Sequence, residues 1–102
     1  MAAMRRHHIT LGARTTADGV VTSASSAMSI DGARIALEGD DVTCHVCGAT
    51  GAIVCTGPRT PERHDGRLVA LENDLCACNC ATPPRLLPIQ RVRYQTVAQD
   101  AA

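Results

Sequence analysis

The chain has 102 residues, no formal net charge and 45% apolar residues, with Tyr94 as its single aromatic residue. A chain this short forms one domain whose apolar core alone is marginal, so an additional cross-link is expected. The balanced charge argues against nucleic-acid binding, which needs a basic surface. No apolar stretch suits a secretory signal or a membrane span, so we expect folding in the cytosol and no membrane anchor.

The N-terminal part of the chain contains a short strand and a weak repeat unit. We expect His7 and His8 to lie on an exposed strand without a chemical role. Residues 11–16 resemble residues 38–43, which suggests a degenerate first unit of a repeat.

A clear duplication occupies the middle of the chain. Residues 31–40 recur as residues 65–74, and continuing the alignment to Cys44 and Cys78 gives seven identities in fourteen positions. Each copy has an Asp-Gly turn signal between short strands and is preceded by a Gly with a β-branched run.

The apolar spacing predicts strands rather than helices. Ala33, Ile35 and Leu37 alternate with more polar neighbours, as in a half-buried strand, whereas no window has a sustained helical period. Asp40, Asp41 and Asp74 are interpreted as turn residues whose carboxylates bond nearby backbone amides. The polar stretch from Gln95 onward is expected to fray. The prediction is a mostly β domain of short hairpins.

Six cysteines indicate either disulfides or a metal. Because thiols stay reduced in the cytosol, metal ligation is the better interpretation. Cys44 and Cys47 form a Cys-x-x-Cys knuckle followed by Gly, the spacing that chelates a tetrahedral Zn²⁺. The second cluster lies at the matching place in the next repeat and contains Cys76, Cys78 and Cys80.

The repeat register selects four ligands from the six cysteines. Cys78 aligns with Cys44, whereas Cys76 aligns with the apolar Val42 and Cys55 lies in a predicted strand, so both are interpreted as packed thiols. The predicted ligands are Cys44, Cys47, Cys78 and Cys80, with Cys76 as the alternative to one of the last two. A closed shell of four thiolates predicts one structural zinc ion and no catalysis.

The histidines are not included in this predicted site. His45 lies between two ligands and is expected to point to solvent. His64 aligns with Ile30, which favours a partly buried structural histidine.

The arrangement resembles the PAAR-repeat family, whose units read as a Gly-Gly-x-Val strand, a turn with Pro-Ala-Ala-Arg, and Gly-Asp-x-Val-x-Cys. The matching pieces are residues 18–21, 32–44 and 66–78, and the resemblance spans about residues 4–90. The Pro-Ala-Ala-Arg tetrapeptide itself is replaced in both copies. Family members carry a metal-binding His near the N-terminus, and the resemblance implies that Asp18 is the counterpart of this His.

The resemblance implies a small conical domain of pseudo-threefold β-hairpins with zinc near the vertex. It implies a non-enzymatic tip that caps the trimeric VgrG spike, one tip per trimer, sharpens it, and can carry a separate effector through type VI secretion. The expected division is a spike-tip domain over residues 1–90 and a short tail over residues 91–102. Many relatives are fused to toxin domains, but only 18 residues follow Pro84. This implies a free-standing tip or adaptor, exported without a signal peptide.

Two other classes of protein use similar cysteines. A zinc-ribbon-like module for nucleic acid or protein predicts a basic face and stacking aromatics, which the composition does not supply. A thiol redox enzyme with Cys44 and Cys47 as its dithiol predicts a helix N-terminus at the thiolate, whereas the flanking sequence has strand and turn character.

Overall fold

The strands of this protein are short and numerous. The computed structural model describes residues 3–98, which form eleven strands and no helix, so the described residues include no helix able to cross a membrane. The mostly β fold is confirmed. The strands are β1 (Ala3–His7), β2 (Arg14–Thr15), β3 (Ser29–Ile30), β4 (Ala33–Arg34), β5 (Asp41–Cys44), β6 (Ala49–Val54), β7 (Arg63–His64), β8 (Arg67–Leu68), β9 (Leu75–Ala77), β10 (Leu86–Leu87) and β11 (Tyr94–Ala98).

Backbone hydrogen bonds join three central segments to one another: segment A (residues 7–13), segment B (residues 34–40) and segment C (residues 68–74). The amide of Ile9 donates to Ala70 O at 2.9 Å, that of Ala70 donates to Ala36 O at 3.0 Å, and that of Ala36 donates to Ile9 O at 2.9 Å. In this closed ring, the buried backbone amide and carbonyl groups of each segment find hydrogen-bond partners in a neighbouring segment.

A second ring joins the same three segments in the opposite direction, with donors two residues after and acceptors two residues before those of the first ring. Its three bonds are each 2.8 Å long and run from Leu11 N to Arg34 O, from Glu38 N to Leu68 O, and from Glu72 N to His7 O. The three segments therefore make equivalent contacts, although their sequence spacing is unequal.

A two-stranded ladder continues each segment. β3 pairs with β4, and β7 pairs with β8, around the turns at Asp31 and Asp65, where Asp and the following Gly all have φ between 52° and 83°. Positive φ at both central residues is what a tight Asp-Gly hairpin turn requires.

The third ladder joins the two ends of the described chain. β1 pairs with β11 over five residue pairs, from Ala3↔Ala98 to His7↔Tyr94. The expectation that the chain frays from Gln95 is therefore wrong for residues 95–98, because β1 supplies their backbone partners. Residues 99–102 lie outside the described part of the chain.

The core has two layers, one on each side of the central segments. One layer contains Ile30, Ile35, Leu37, Val69 and Leu71. The other includes the three residues of the first hydrogen-bonded ring and packs against the cysteine-bearing strands. Both faces of segment B are consequently buried, and Ala36 is fully buried, so the predicted alternation with an exposed face is incomplete there.

His8 is buried, contrary to the expectation of an exposed and inert N-terminal strand. It occupies in segment A the place that Ile35 and Val69 have in the other two segments, and only 1% of it is exposed. Its Nε2 lies 3.0 Å from Glu62 Oε1, while the half-buried His7 places Nδ1 3.0 Å from Glu72 Oε1. The expectation was wrong because β11 and segment C cover this strand.

Candidate metal centre

Four cysteine side chains meet at one end of the three-stranded sheet β5–β6–β9. The Sγ atoms of Cys44, Cys47, Cys78 and Cys80 all lie within 4.8 Å of one another, and those of Cys44 and Cys80 are 3.5 Å apart. These are the four thiols that the repeat register selects. The protein thus has a group of four cysteines that could hold a metal ion.

The strand order explains why two cysteine clusters so distant in sequence come together. β6 lies between β5 and β9 and pairs antiparallel with both. Cys44 ends β5 opposite Ala49, and Cys47 follows in the connecting turn. Cys78 and Cys80 follow β9, which runs parallel to β5, so both clusters leave the sheet at the same end.

The donor set and the spacing of the sulfur atoms suit a tetrahedral metal ion. With Zn–S bonds of about 2.3 Å, a regular tetrahedron places its sulfur atoms about 3.8 Å apart. The observed limit of 4.8 Å is close enough for small side-chain movements to close the shell. Thiolates prefer soft or borderline ions such as zinc, and also suit iron.

The thiols of the group differ in their readiness to lose a proton. A hydrogen bond from the backbone amide of Cys47, supported by the thiols of Cys78 and Cys80, lowers the pKa of Cys44 to about 6. The hydrogen bonds that Cys80 makes with Cys44 and Cys78 raise the pKa of Cys80 instead. Of this pair, Cys44 therefore ionises more readily than Cys80, and a bound cation would favour the thiolate form of its ligands.

Two cysteines remain outside the group. Cys76 is fully buried on β9, and burial raises its pKa to about 12. Cys55 follows β6, where burial and the negative charge of Asp74 raise its pKa to about 12. Cys76 belongs to the buried core cluster and Cys55 packs against it, as small apolar side chains would.

The first unit brings no thiol or carboxylate to the group. The carbonyl groups of Thr10, Leu37 and Leu71 each accept a 3.0 Å hydrogen bond from the amide three residues later, so these residues occupy equivalent positions. Seven residues further along the chain, Ala17 is equivalent to Cys44 and Cys78. Asp18 is exposed and is not a member of the cysteine group, so its implied role as the counterpart of a metal-binding His is not supported. The sequence alignment of residues 11–16 with residues 38–43, extended by one position, also places Ala17 opposite Cys44.

An open depression lies beside the thiols on the side of this first unit. Its volume is about 490 Å³, and its lining includes Thr16, Ala17, Cys47, Cys80 and Pro84. Cys47 and Cys80 therefore border this depression. Cys44 is buried, with 2% of it exposed, whereas the other three group cysteines are partly exposed.

The remaining predicted histidine positions agree with the structure. His45 is exposed, and His64 is partly buried. His64 Nδ1 lies 2.7 Å from Ser26 Oγ, and its Nε2 lies 3.5 Å from Glu62 Oε2. This cluster around Glu62 has no signal in the sequence, because its members come from segments that have no common motif.

Comparison with known proteins identifies the family. The PAAR motif matches residues 11–82, which is more than half of the chain and includes all four cysteines of the group. The chain belongs to the PAAR motif family. This is the structural family of type VI spike-tip proteins, which are associated with VgrG spikes. Membership of this family implies a role in type VI secretion. No curated protein and no solved structure matches the chain.

Proposed function

We propose that this PAAR protein is a non-enzymatic tip that caps a trimeric VgrG spike, with one chain per trimer. Membership of the PAAR family, matched over residues 11–82, is the observation that carries this proposal. The two closed hydrogen-bonded rings support it, because three equivalent segments in one chain suit a partner with three equivalent chains.

The cysteine group is proposed to hold one structural zinc ion through Cys44, Cys47, Cys78 and Cys80. Four thiolates fill a tetrahedral shell, so the ion has no open position for a substrate or an activated water. The ion would join the turn after β5 to the chain after β9. Its role is then to stabilise the end of the domain that contains the thiols, which on this proposal is the vertex of a cone.

Sharpening of the spike and transport of a separate effector belong to the same proposal. The tip is made in the producing bacterium and leaves with the spike during type VI secretion. The domain proposed for this role spans residues 1–90. Residues 94–98 of the proposed tail pair with β1, which is a strand of the domain itself, and so they extend its β-structure beyond residue 90.

Co-purification with a trimeric β-helical spike protein tests the proposal. The complex is expected to contain one tip for three spike chains by native mass spectrometry, and a metal-free variant with all four group cysteines replaced by Ser should lose the complex or weaken it. A spike that binds three tips, or none, contradicts the capping role.

A further inference from the structure

Buried aspartates accompany the group cysteines at a constant distance along the chain. Asp40 precedes Cys44 by four residues, and Asp74 precedes Cys78 by four residues. Both carboxylates are buried, with 3% and 0% of the residues exposed. The equivalent position in segment A is Ala13, and four residues later that unit has Ala17 in place of a cysteine.

The carboxylate of Asp40 closes the turn from which β5 starts. One oxygen, Oδ2, accepts the amide of Leu37 at 2.7 Å and the amide of Ser25 at 2.9 Å. The other, Oδ1, accepts the hydroxyl groups of Ser25 and Ser23. This carboxylate therefore sets the direction in which the chain enters β5.

The same turn is bonded to the middle strand of the metal-binding sheet. Gly39 N donates to Ile53 O, and Ile53 N donates to Asp40 O, both at 2.9 Å. Ile53 lies on β6 and pairs with Cys76 on β9. A displacement of the Asp40 turn would thus be transmitted to both strands that lead to group cysteines.

Asp74 repeats the arrangement at the start of β9. It accepts the amide of Leu71 at 2.7 Å, the same length as the Asp40 bond to Leu37. It also forms ion pairs with Arg6 and Arg59. Asp74 therefore has a second structural role as the partner of two close arginines. Asp40 shares this role less, because its own ion-pair partner, Arg67, lies 3.8 Å away.

We propose that Asp40 and Asp74 are positioning residues of the metal centre, which hold the starts of β5 and β9 so that Cys44 and Cys78 face one ion. This inference rests on the proposed metal-binding role of the cysteine group. It accounts for an aspartate at the end of segments B and C being followed four residues later by a cysteine, whereas segment A ends in Ala13 and is followed four residues later by Ala17.

Substitution of Asp40 separates positioning from general stability, because Asp40 lacks the two close arginines of Asp74. Asp40→Ala, which reproduces Ala13, is expected to weaken Co²⁺ and Zn²⁺ binding about tenfold in a chelator competition. The Co²⁺ form of the variant should also have weaker or shifted sulfur-to-cobalt absorption, because its thiolate geometry is disturbed.

Two further variants and a control complete the experiment. Asp40→Asn should recover both properties, because its amide oxygen can accept the two backbone bonds while its NH₂ group donates to the serines. Asp40→Glu, which moves the carboxylate by one methylene group, should bind metal more weakly than Asp40→Asn. It serves as the decisive variant if Asp40→Ala does not fold. Asp41→Ala removes an exposed neighbouring carboxylate and should match the unsubstituted protein.

The outcomes distinguish this inference from the proposed metal centre. An unsubstituted protein that binds no metal overturns both. Metal binding by that protein, with unchanged affinity and absorption in Asp40→Ala or Asp40→Glu, overturns only the positioning role. A variant that has lower stability without metal but an unchanged cobalt spectrum and affinity also counts against positioning.

Discussion

The six cysteine thiols differ in what surrounds them. Four converge within 4.8 Å, while Cys55 and Cys76 pack against the core and have raised pKa values. The repeat register favours this division, because Cys76 aligns with Val42 and both residues are buried. A strand that alternates its faces sends Cys76 and Cys78 toward the same side, so the register alone did not exclude Cys76.

Single substitutions should separate ligands from packed thiols. Changing Cys44, Cys47, Cys78 or Cys80 to Ser is expected to abolish the bound metal or weaken it strongly, because a tetrahedral shell loses a thiolate. Cys55→Ala and Cys76→Ala serve as controls and should keep one metal per chain by native mass spectrometry. Loss of metal from Cys76→Ala, together with retention in Cys80→Ser, would place Cys76 in the shell.

Glu62 should make stability depend on pH. Partial burial alone would raise its pKa, but hydrogen bonds from His8 and Gln95, together with the charge of Arg93, outweigh burial and lower it. His64 is the other titratable group that faces this carboxylate. An unfolded Glu titrates at about 4.3, so its stabilising contribution is complete above that pH and is lost as the pH falls through the lower folded value.

Glu62→Gln is therefore expected to lower the free energy of unfolding at pH 7 by about 1–2 kcal/mol. The difference from the unsubstituted protein should shrink as the pH falls from 5 to 3, measured by urea unfolding at each pH. Glu38→Gln is the control, because Glu38 hydrogen-bonds within residues 3–98 through its backbone, accepting from Arg67 Nη1 at 3.1 Å and donating to Leu68 O at 2.8 Å. A difference that stays constant with pH would contradict an ionised Glu62.

At the scale of the elements, β6 and β9 approach unusually closely at Gly51. A Cβ atom at Gly51 would lie 2.5 Å from Ala77 O and 2.8 Å from Cys76 Sγ. Gly51→Ala should therefore lower the free energy of unfolding by about 1–3 kcal/mol. It should also weaken metal binding, because Ala77 immediately precedes a group cysteine.

Gly66→Ala is the matched control for this substitution. The added methyl group would meet nothing within 4 Å, although the φ of 79° disfavours any residue with a Cβ. We expect a cost of about 1–2 kcal/mol from the backbone alone and unchanged metal affinity. Equal metal affinities in both variants would show that the close approach at Gly51 does not affect the cysteine group.

The element boundaries show which features of the structure could be predicted from sequence signals. The Asp-Gly signals predicted the turns at residues 31–32 and 65–66, because few other dipeptides accept two positive φ values. The pairing of β1 with β11 has no turn between its strands and joins opposite ends of the chain. Local sequence patterns therefore could not predict it, nor the burial of His8 beneath it.

For the whole molecule, metal removal should cause a large loss of stability. The two thin core layers are built mainly from small and aliphatic residues, and a domain of this size has little reserve stability. Excess chelator is expected to lower Tm strongly, since each kcal/mol corresponds to about 4–8 °C. Chelator already saturated with zinc is the control, and an unchanged Tm in protein shown to be metal-free would rule out a stabilising ion.

The pairing of Ala3 with Ala98 also has a consequence for how the chain can be reconnected. A two-residue Asn-Gly link between these strands would complete a third hairpin beside the two natural ones. The polypeptide could then be opened between Asp31 and Gly32, and this circular permutant should fold with its metal affinity retained. The order in which the three units follow one another along the polypeptide would then be interchangeable, although their order around the molecule would not.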